Sequence, residues 1–263
     1  ENNGELIFIV PSMFFKLTSA KKLLDKMMNT GTFTHIYHPH NEKLFKKASI
    51  DVIIFRYCKN NKLKKKVLYN DNQLNIINND GLITFNKNED STACSFKDYF
   101  DVHVGLVTGR ESVYKNDELG NIKVLNGKDK INNYIFIEKF PCNNEKINNY
   151  LLEHKNELIS RKIKKFNEKN WFEWGAPRNI KKMIANKGKS CIYINTLTRE
   201  DNVAFMGKVQ YFGGGLLILI PKKSCDLQKV TNYLNSERFK KNFIFSGRFK
   251  IGHRQLSNSL FSV

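Results

Sequence analysis

At 263 residues and 41% hydrophobic side chains, the chain is long enough to bury a core in one or two domains. Lys and Arg outnumber Asp and Glu 44 to 25, a formal net charge of +19, and a field of that size draws polyanions, nucleic acid first among them. No apolar stretch approaches the ~20 residues of a membrane helix and no basic-then-apolar leader opens the chain, which argues against a membrane protein.

The first element is Leu6–Val10, apolar on both faces as a central parallel strand is. Leu23, Leu24, Met27 and Met28 then recur at helical spacing over 19–28, ending at Asn29-Thr30-Gly31. Strands follow at Phe33–Tyr37 and, past a polar loop, at Ile50–Tyr57. The Lys- and Asn-rich run Asn60–Lys66 reads as a linker. Beyond it the pattern predicts strands at Lys66–Tyr69, Leu82–Phe85, Tyr134–Glu138, Cys191–Asn195 and Gly215–Ile220. Helices are expected over Asn144–Leu158 and Arg178–Ala185, and as a pair, Cys225–Leu234 and Ser236–Phe243, broken at Asn235. There is no internal repeat.

Cys58, Cys94, Cys142, Cys191 and Cys225 are odd in number, scattered and free of any CxxC pair. That argues against a disulfide framework or zinc ribbon and fits a reducing compartment such as the cytoplasm, a nucleoid or a viral replication site. His35, His38, His40 and Cys58 match no standard zinc spacing, and Pro39 interrupts any helix that would align the rings. Asp101, His103 and Ser112 lack the nucleophile elbow of a hydrolase.

Five segments carry a resemblance. They are Gly4-Glu-Leu-Ile-Phe-Ile-Val-Pro11; Phe45-Lys-Lys-Ala-Ser-Ile-Asp-Val-Ile-Ile-Phe-Arg-Tyr57; Gly105-Leu-Val-Thr-Gly-Arg110 with Val113-Tyr114; Trp171-Phe-Glu-Trp-Gly-Ala-Pro-Arg178; and Tyr233-Leu-Asn-Ser-Glu with Gly252-His-Arg-Gln-Leu256. In this order they resemble the C-terminal part of gamma-class DNA adenine-N6 methyltransferases of restriction–modification systems, the Taq-type and Eco57I-type enzymes. The resemblance implies an α/β fold. Residues 1–60 would be the C-terminal strands of a doubly wound methyltransferase sheet, incomplete alone, and residues 61–263 a mixed α+β target-recognition domain. The chain does not begin with methionine, and we expect the first strand's sheet neighbour to come from elsewhere.

One departure bears on chemistry. None of Pro11, Pro39, Pro141, Pro177 and Pro221 adjoins another proline, so the family's Asn-Pro-Pro-aromatic motif is absent, and so is its glycine-rich cofactor turn. Gly213-Gly-Gly215 precedes a strand and does not open a helix, unlike a phosphate cradle. The expectation is therefore that no catalytic or cofactor-binding residue lies here. S-adenosylmethionine would be bound by an N-terminal half, on a separate chain or a missing segment, and double-stranded DNA is the expected partner.

The resemblance places Phe45 as the aromatic that stacks on the flipped adenine; packing against Leu44 and Ile50 is the competing reading. Lys46 and Lys47 suit phosphates beside that nucleotide, or solvent. Arg110, in a glycine-punctuated loop, can read guanine bidentately. Trp171, Trp174 and Arg178 are candidate DNA contacts, with Lys181 and Lys182 following on one helix; for the tryptophans a hydrophobic staple is an equal alternative. Arg248, Lys250, His253 and Arg254 cluster near Gly247 and Gly252 as in a loop laid on phosphates. The expected function is the recognition part of a DNA adenine methyltransferase. The alternatives are a non-catalytic DNA-binding or specificity subunit and a basic RNA-binding or viral structural protein.

Overall fold

A computed structural model describes residues 3–39, 45, 50–61, 65–87 and 93–262. The chain divides into two compact units, Glu1–Phe100 with Leu197–Val203 and Lys222–Val263, and Asp101–Thr196 with Ala204–Pro221.

The first unit is organised by a six-stranded sheet of β1 (Glu5–Pro11), β2 (Gly31–Tyr37), β3 (Val52–Lys59), β4 (Lys66–Tyr69), β5 (Asn72–Asn79) and β6 (Leu82–Asn86), in the order β1-β3-β2-β4-β5-β6. β3 runs between β1 and β2, antiparallel to both, and β2 pairs in parallel with β4. The register Phe8↔Phe55 and Val10↔Ile53 puts these residues on one face. There Leu24 and Met27 of the helix α1 (Lys21–Thr30) pack with Phe15 and Phe33. A register irregularity between Phe33 and His35 lets both Phe33 and Ile36 turn inward.

Two expectations change here. β1 was anticipated as a buried parallel strand. It is an edge strand, paired antiparallel with β3, and Leu6, Ile7, Phe8 and Ile9 are 43, 68, 55 and 47% exposed. The linker expected around residues 60–66 does not part the compact units. β4–β6 continue the same sheet through the β2–β4 pairing, and the units part after Phe100.

The remainder of the first unit carries helices Leu227–Asn235 and Glu237–Lys240, and small sheets that join Leu197–Thr198 and Ile244–Phe245 to Arg248–Lys250, and Ala93–Ser95 to Leu260–Ser262. Asp226 and Ser236 cap the two helices, their side chains accepting from backbone N–H groups of the first turn. Asn235, where a break was expected, ends the first helix, and the break falls one residue later, at Ser236.

The second unit holds a four-stranded sheet in the order Ala204–Lys208, Ser190–Asn195, Leu216–Pro221, Phe100–Val104. A hairpin pairs Ile122–Gly127 with Lys130–Tyr134. The sequence pattern placed a strand at Tyr134–Glu138 instead, because that run is apolar, whereas the pairing residues Lys130 and Asn132–Asn133 are polar. The helix expected over 144–158 divides at His154 into Glu145–Glu153 and Lys155–Ile159. Among the described residues, no helix is long and apolar enough to cross a membrane.

Candidate nucleic-acid interface

Three glycine-bearing segments far apart in sequence converge in the second unit. Val107 and Ala176 exchange backbone hydrogen bonds of 3.0 and 2.8 Å, and Gly175 N–H donates to the Thr108 carbonyl at 2.8 Å. On the other side Leu106 N–H donates to the Phe212 carbonyl at 2.8 Å. The approach is close enough that a Cβ on Gly105 would lie 2.1 Å from the Gly213 carbonyl oxygen. Gly213 and Gly214 are packed closely: a Cβ on Gly213 would meet the Asn126 amide oxygen at 2.2 Å, and one on Gly214 would lie 2.9 Å from a Val107 methyl. Gly109 holds φ +77°, a conformation that favours glycine.

Arg110 emerges from this junction at the start of the short helix Glu111–Tyr114, with its Nε 3.0 Å from the Glu157 carboxylate. Thr108 Oγ1 accepts from Arg110 N–H at 3.2 Å. The loop is held from beneath by Arg161, which sequence reasoning passed over. Its buried guanidinium donates to the carbonyls of Leu158 at 2.7 Å, Thr108 at 2.8 Å and Trp171 at 2.5 Å. It also lies 3.8 Å from the Phe166 ring centre. Burial lowers the Arg161 pKa from its usual value. Nothing in the Arg161–Lys165 run distinguishes this arginine from its solvated neighbours.

The two tryptophans are core. Trp171 and Trp174 are 3% and 2% exposed, Trp174 Nε1–H donates to the Ile135 carbonyl at 2.9 Å, and Trp171 packs edge-on against Phe140. Of their two readings, DNA contact and hydrophobic staple, this burial fits the staple. Arg178 is exposed, ahead of Asn179. In the helix Ile180–Ala185, Met183 is buried while Lys181 and Lys182 stay exposed.

In the first unit Phe45 is 44% exposed; Lys46 and Lys47 lie outside the described residues. Lys250 is exposed and its ammonium lies 5.1 Å from the Phe245 ring centre. Arg254 is engaged with the Asp80 carbonyl, His253 opens the helix His253–Asn258, and Arg248 pairs with Phe245 in a short strand. His38 is bound to Asp51 at 2.7 Å and to Tyr69 at 3.2 Å. Among the described residues, no three His, Cys, Asp or Glu side chains gather as for a metal ion, and His40 is outside them.

No protein-family model matches the chain. The type II methyltransferase M.MjaIV of Methanocaldococcus jannaschii is 28% identical over 189 residues, 62% of this chain and 63% of that protein. M.HincII of Haemophilus influenzae, also a type II methyltransferase, is 38% identical over 77 residues, 29% of this chain and 14% of its own. The chain is similar to type II methyltransferases. The type IIL restriction–modification enzyme MmeI, solved in complex with DNA, aligns over 97% of this chain with a TM-score of 0.58 and 9% identity, a likeness of fold. The chain spans 63% and 14% of the two relatives and 38% of the solved structure.

Proposed function

We propose that this chain is the target-handling part of a DNA adenine-N6 methyltransferase of a restriction–modification system. It grips duplex DNA, and it holds an extruded adenine against Phe45 while an N-terminal half supplies S-adenosylmethionine and the catalytic loop. The observation that carries the reading is the edge of β1 that no strand pairs among the described residues. An edge strand with four consecutive exposed apolar side chains is an open invitation to further pairing, and a missing sheet neighbour accounts for it. The similarity to type II methyltransferases supplies the class of that neighbour. The net charge of +19 suits a polyanionic substrate. The glycine junction offers Arg110 and Arg178 for base or phosphate contacts, and Lys181 and Lys182 for phosphates.

Complementation tests it. The chain alone should neither bind S-adenosylmethionine in calorimetry nor methylate DNA. Co-expressed with a methyltransferase half carrying the cofactor turn and the Asn-Pro-Pro-aromatic loop, it should do both, with the methyl group on adenine N6. Duplex binding by the chain should weaken with salt at a log–log slope of about −0.9 per phosphate neutralised, and Lys181→Ala with Lys182→Ala should flatten that slope. Salt-dependent binding without methylation by any completed enzyme would favour a non-catalytic specificity subunit. Methylation by the pure chain would overturn the division of labour.

A further inference from the structure

The run Arg161-Lys-Ile-Lys-Lys165 of the second unit sets four basic side chains around one apolar one, and none of the five is among the candidate DNA contacts. Isoleucine is among the residues most often buried, yet Ile163 is 43% exposed. Two glycines from different segments fix its place. A Cβ on Gly175 would lie 2.7 Å from Ile163 Cγ2 and 2.9 Å from Cδ1, and one on Gly109 would lie 3.0 Å from the same Cγ2. The missing side chains at both positions make room for the isoleucine. Both of its branches rest on the glycine junction, and the surface left over faces solvent.

The run is anchored at either end. Arg161 is buried and donates to the carbonyls of Leu158, Thr108 and Trp171, and the buried Phe166 ring lies against the same guanidinium. Between these points Lys164 is taken up by Glu173 at 2.7 Å. That leaves Lys162 and Lys165, both exposed, for external anions. Gly109 immediately precedes Arg110, and Gly175 is followed by Ala176, Pro177 and Arg178. A fixed apolar surface therefore sits at the roots of the two arginines proposed to contact bases or phosphates, with two ammonium groups beside it. Little ordering cost remains for a ligand laid there.

Duplex DNA presents one base-edge group that such a surface matches. The thymine 5-methyl is apolar and lies in the major groove, where arginine takes the O6 and N7 acceptors of guanine. An exposed isoleucine can also serve as a wedge between base steps. A wedge has to project, whereas Ile163 has both branches down on Gly175. We propose that Ile163 is a specificity-determining residue: it receives the 5-methyl group of a thymine in the major groove, while Lys162 and Lys165 hold flanking phosphates. This role rests on the DNA-handling reading above and adds a base preference to it.

The test uses the full chain and a duplex pool with a randomised central stretch. Selection yields an enriched site, and each thymine in it is then replaced singly by deoxyuridine, which removes the 5-methyl and no hydrogen-bonding group. Fluorescence anisotropy should show one thymine at which the replacement weakens binding roughly fourfold, the effect of one buried methyl. Ile163→Ala should bind the thymine and deoxyuridine duplexes alike, and Ile163→Val should keep a preference for thymine. Urea denaturation checks that the variants fold. Should the alanine variant not fold, Ile163→Thr, which keeps the branch at Cβ, must lose the preference in its place. Lys162→Ala and Lys165→Ala should each flatten the log–log salt slope by about 0.9 on any duplex and leave the preference intact. An enriched site without a thymine that responds, or a preference that outlasts the loss of Ile163, would overturn the inference and leave the proposed function standing. Salt-dependent binding that enriches no sequence would do the same. A loss in Ile163→Ala alongside a wild type indifferent to the methyl would mark a wedge instead. A chain that binds no duplex would overturn the DNA-handling reading itself, and this role with it.

Discussion

Arg110 Nε lies 3.0 Å from the Glu157 carboxylate, so the arginine proposed to read DNA is held by an acid of its own unit. Both side chains are about 40% exposed, and exposed pairs contribute only about 0–1 kcal/mol. A phosphate or guanine edge competes easily for such a guanidinium. Glu157→Gln should therefore tighten duplex binding and steepen its salt dependence by about one phosphate equivalent. Arg110→Ala should cost roughly 1–3 kcal/mol on a cognate site and much less on random DNA. Fluorescence anisotropy over a salt series reads both, and an unchanged affinity in Glu157→Gln would show that Arg110 does not reach DNA.

The β1 edge gives a prediction about assembly. Ile7→Lys with Ile9→Lys places charges on side chains that are already exposed, so the first unit should keep its fold. The isolated variant should be more soluble and less self-associating than the wild type in sedimentation velocity. It should also fail to complement an N-terminal half. Normal complementation by this variant would mean that the edge is not where the halves join.

The tryptophans are tested by stability, since they are buried. Trp174→Ala removes a ring packed edge-on against Tyr114, Tyr134 and Phe136, and leaves the Ile135 carbonyl without its donor. A loss of about 3–5 kcal/mol is expected in urea denaturation. A folded variant with normal stability and weakened DNA binding would return Trp174 to the DNA surface.

Lys16 sets a pH dependence. Burial lowers its pKa from the usual 10.5 to about 8, and the opposing attraction of Asp51 is smaller. Between those values the unfolded chain holds the proton and the folded chain does not, so folded-state stability rises with pH across that window. Below pH 8 both states are protonated and the full penalty of the buried charge applies. Lys16→Met removes the penalty. It should be more stable than wild type by up to about 3 kcal/mol near pH 7, with the gap closing towards pH 10.5. Burial also raises Tyr69, Tyr114 and Cys191 to about 12. Those groups are common to both proteins, so the difference between denaturation curves at pH 7, 8.5 and 10 isolates Lys16.

The proposed stacking role of Phe45 is tested by substitution. In the completed enzyme Phe45→Ala should leave duplex binding nearly intact, because phosphate contacts dominate affinity. Methylation should fall, since stacking on an unpaired base is worth roughly 1–3 kcal/mol, and Phe45→Trp should keep much of the rate. Phe45 is 44% exposed, so unfolding of the alanine variant is not expected. Unaltered methylation would end the proposed role.

Local pattern settled what local physics controls. The apolar run of β1, the helical spacing of α1 and the alternation of β2 marked these elements to within a few residues, because each is a local pattern of the chain. The excess of basic over acidic residues needed no fold to be read. What the linear chain could not state was the identity of each segment's neighbour. β1 looks like a buried strand from its apolar residues, yet its burial is decided by which strands flank it, and β3 flanks one side only. The tryptophans looked equally suited to core and surface until Ile135, Phe140 and Tyr134, remote in sequence, closed over them. Gly105, Gly175 and Gly213 were separate signatures. Only backbone contact across more than a hundred residues made them one junction, because close packing of peptide groups depends on distance in space and not on distance along the chain.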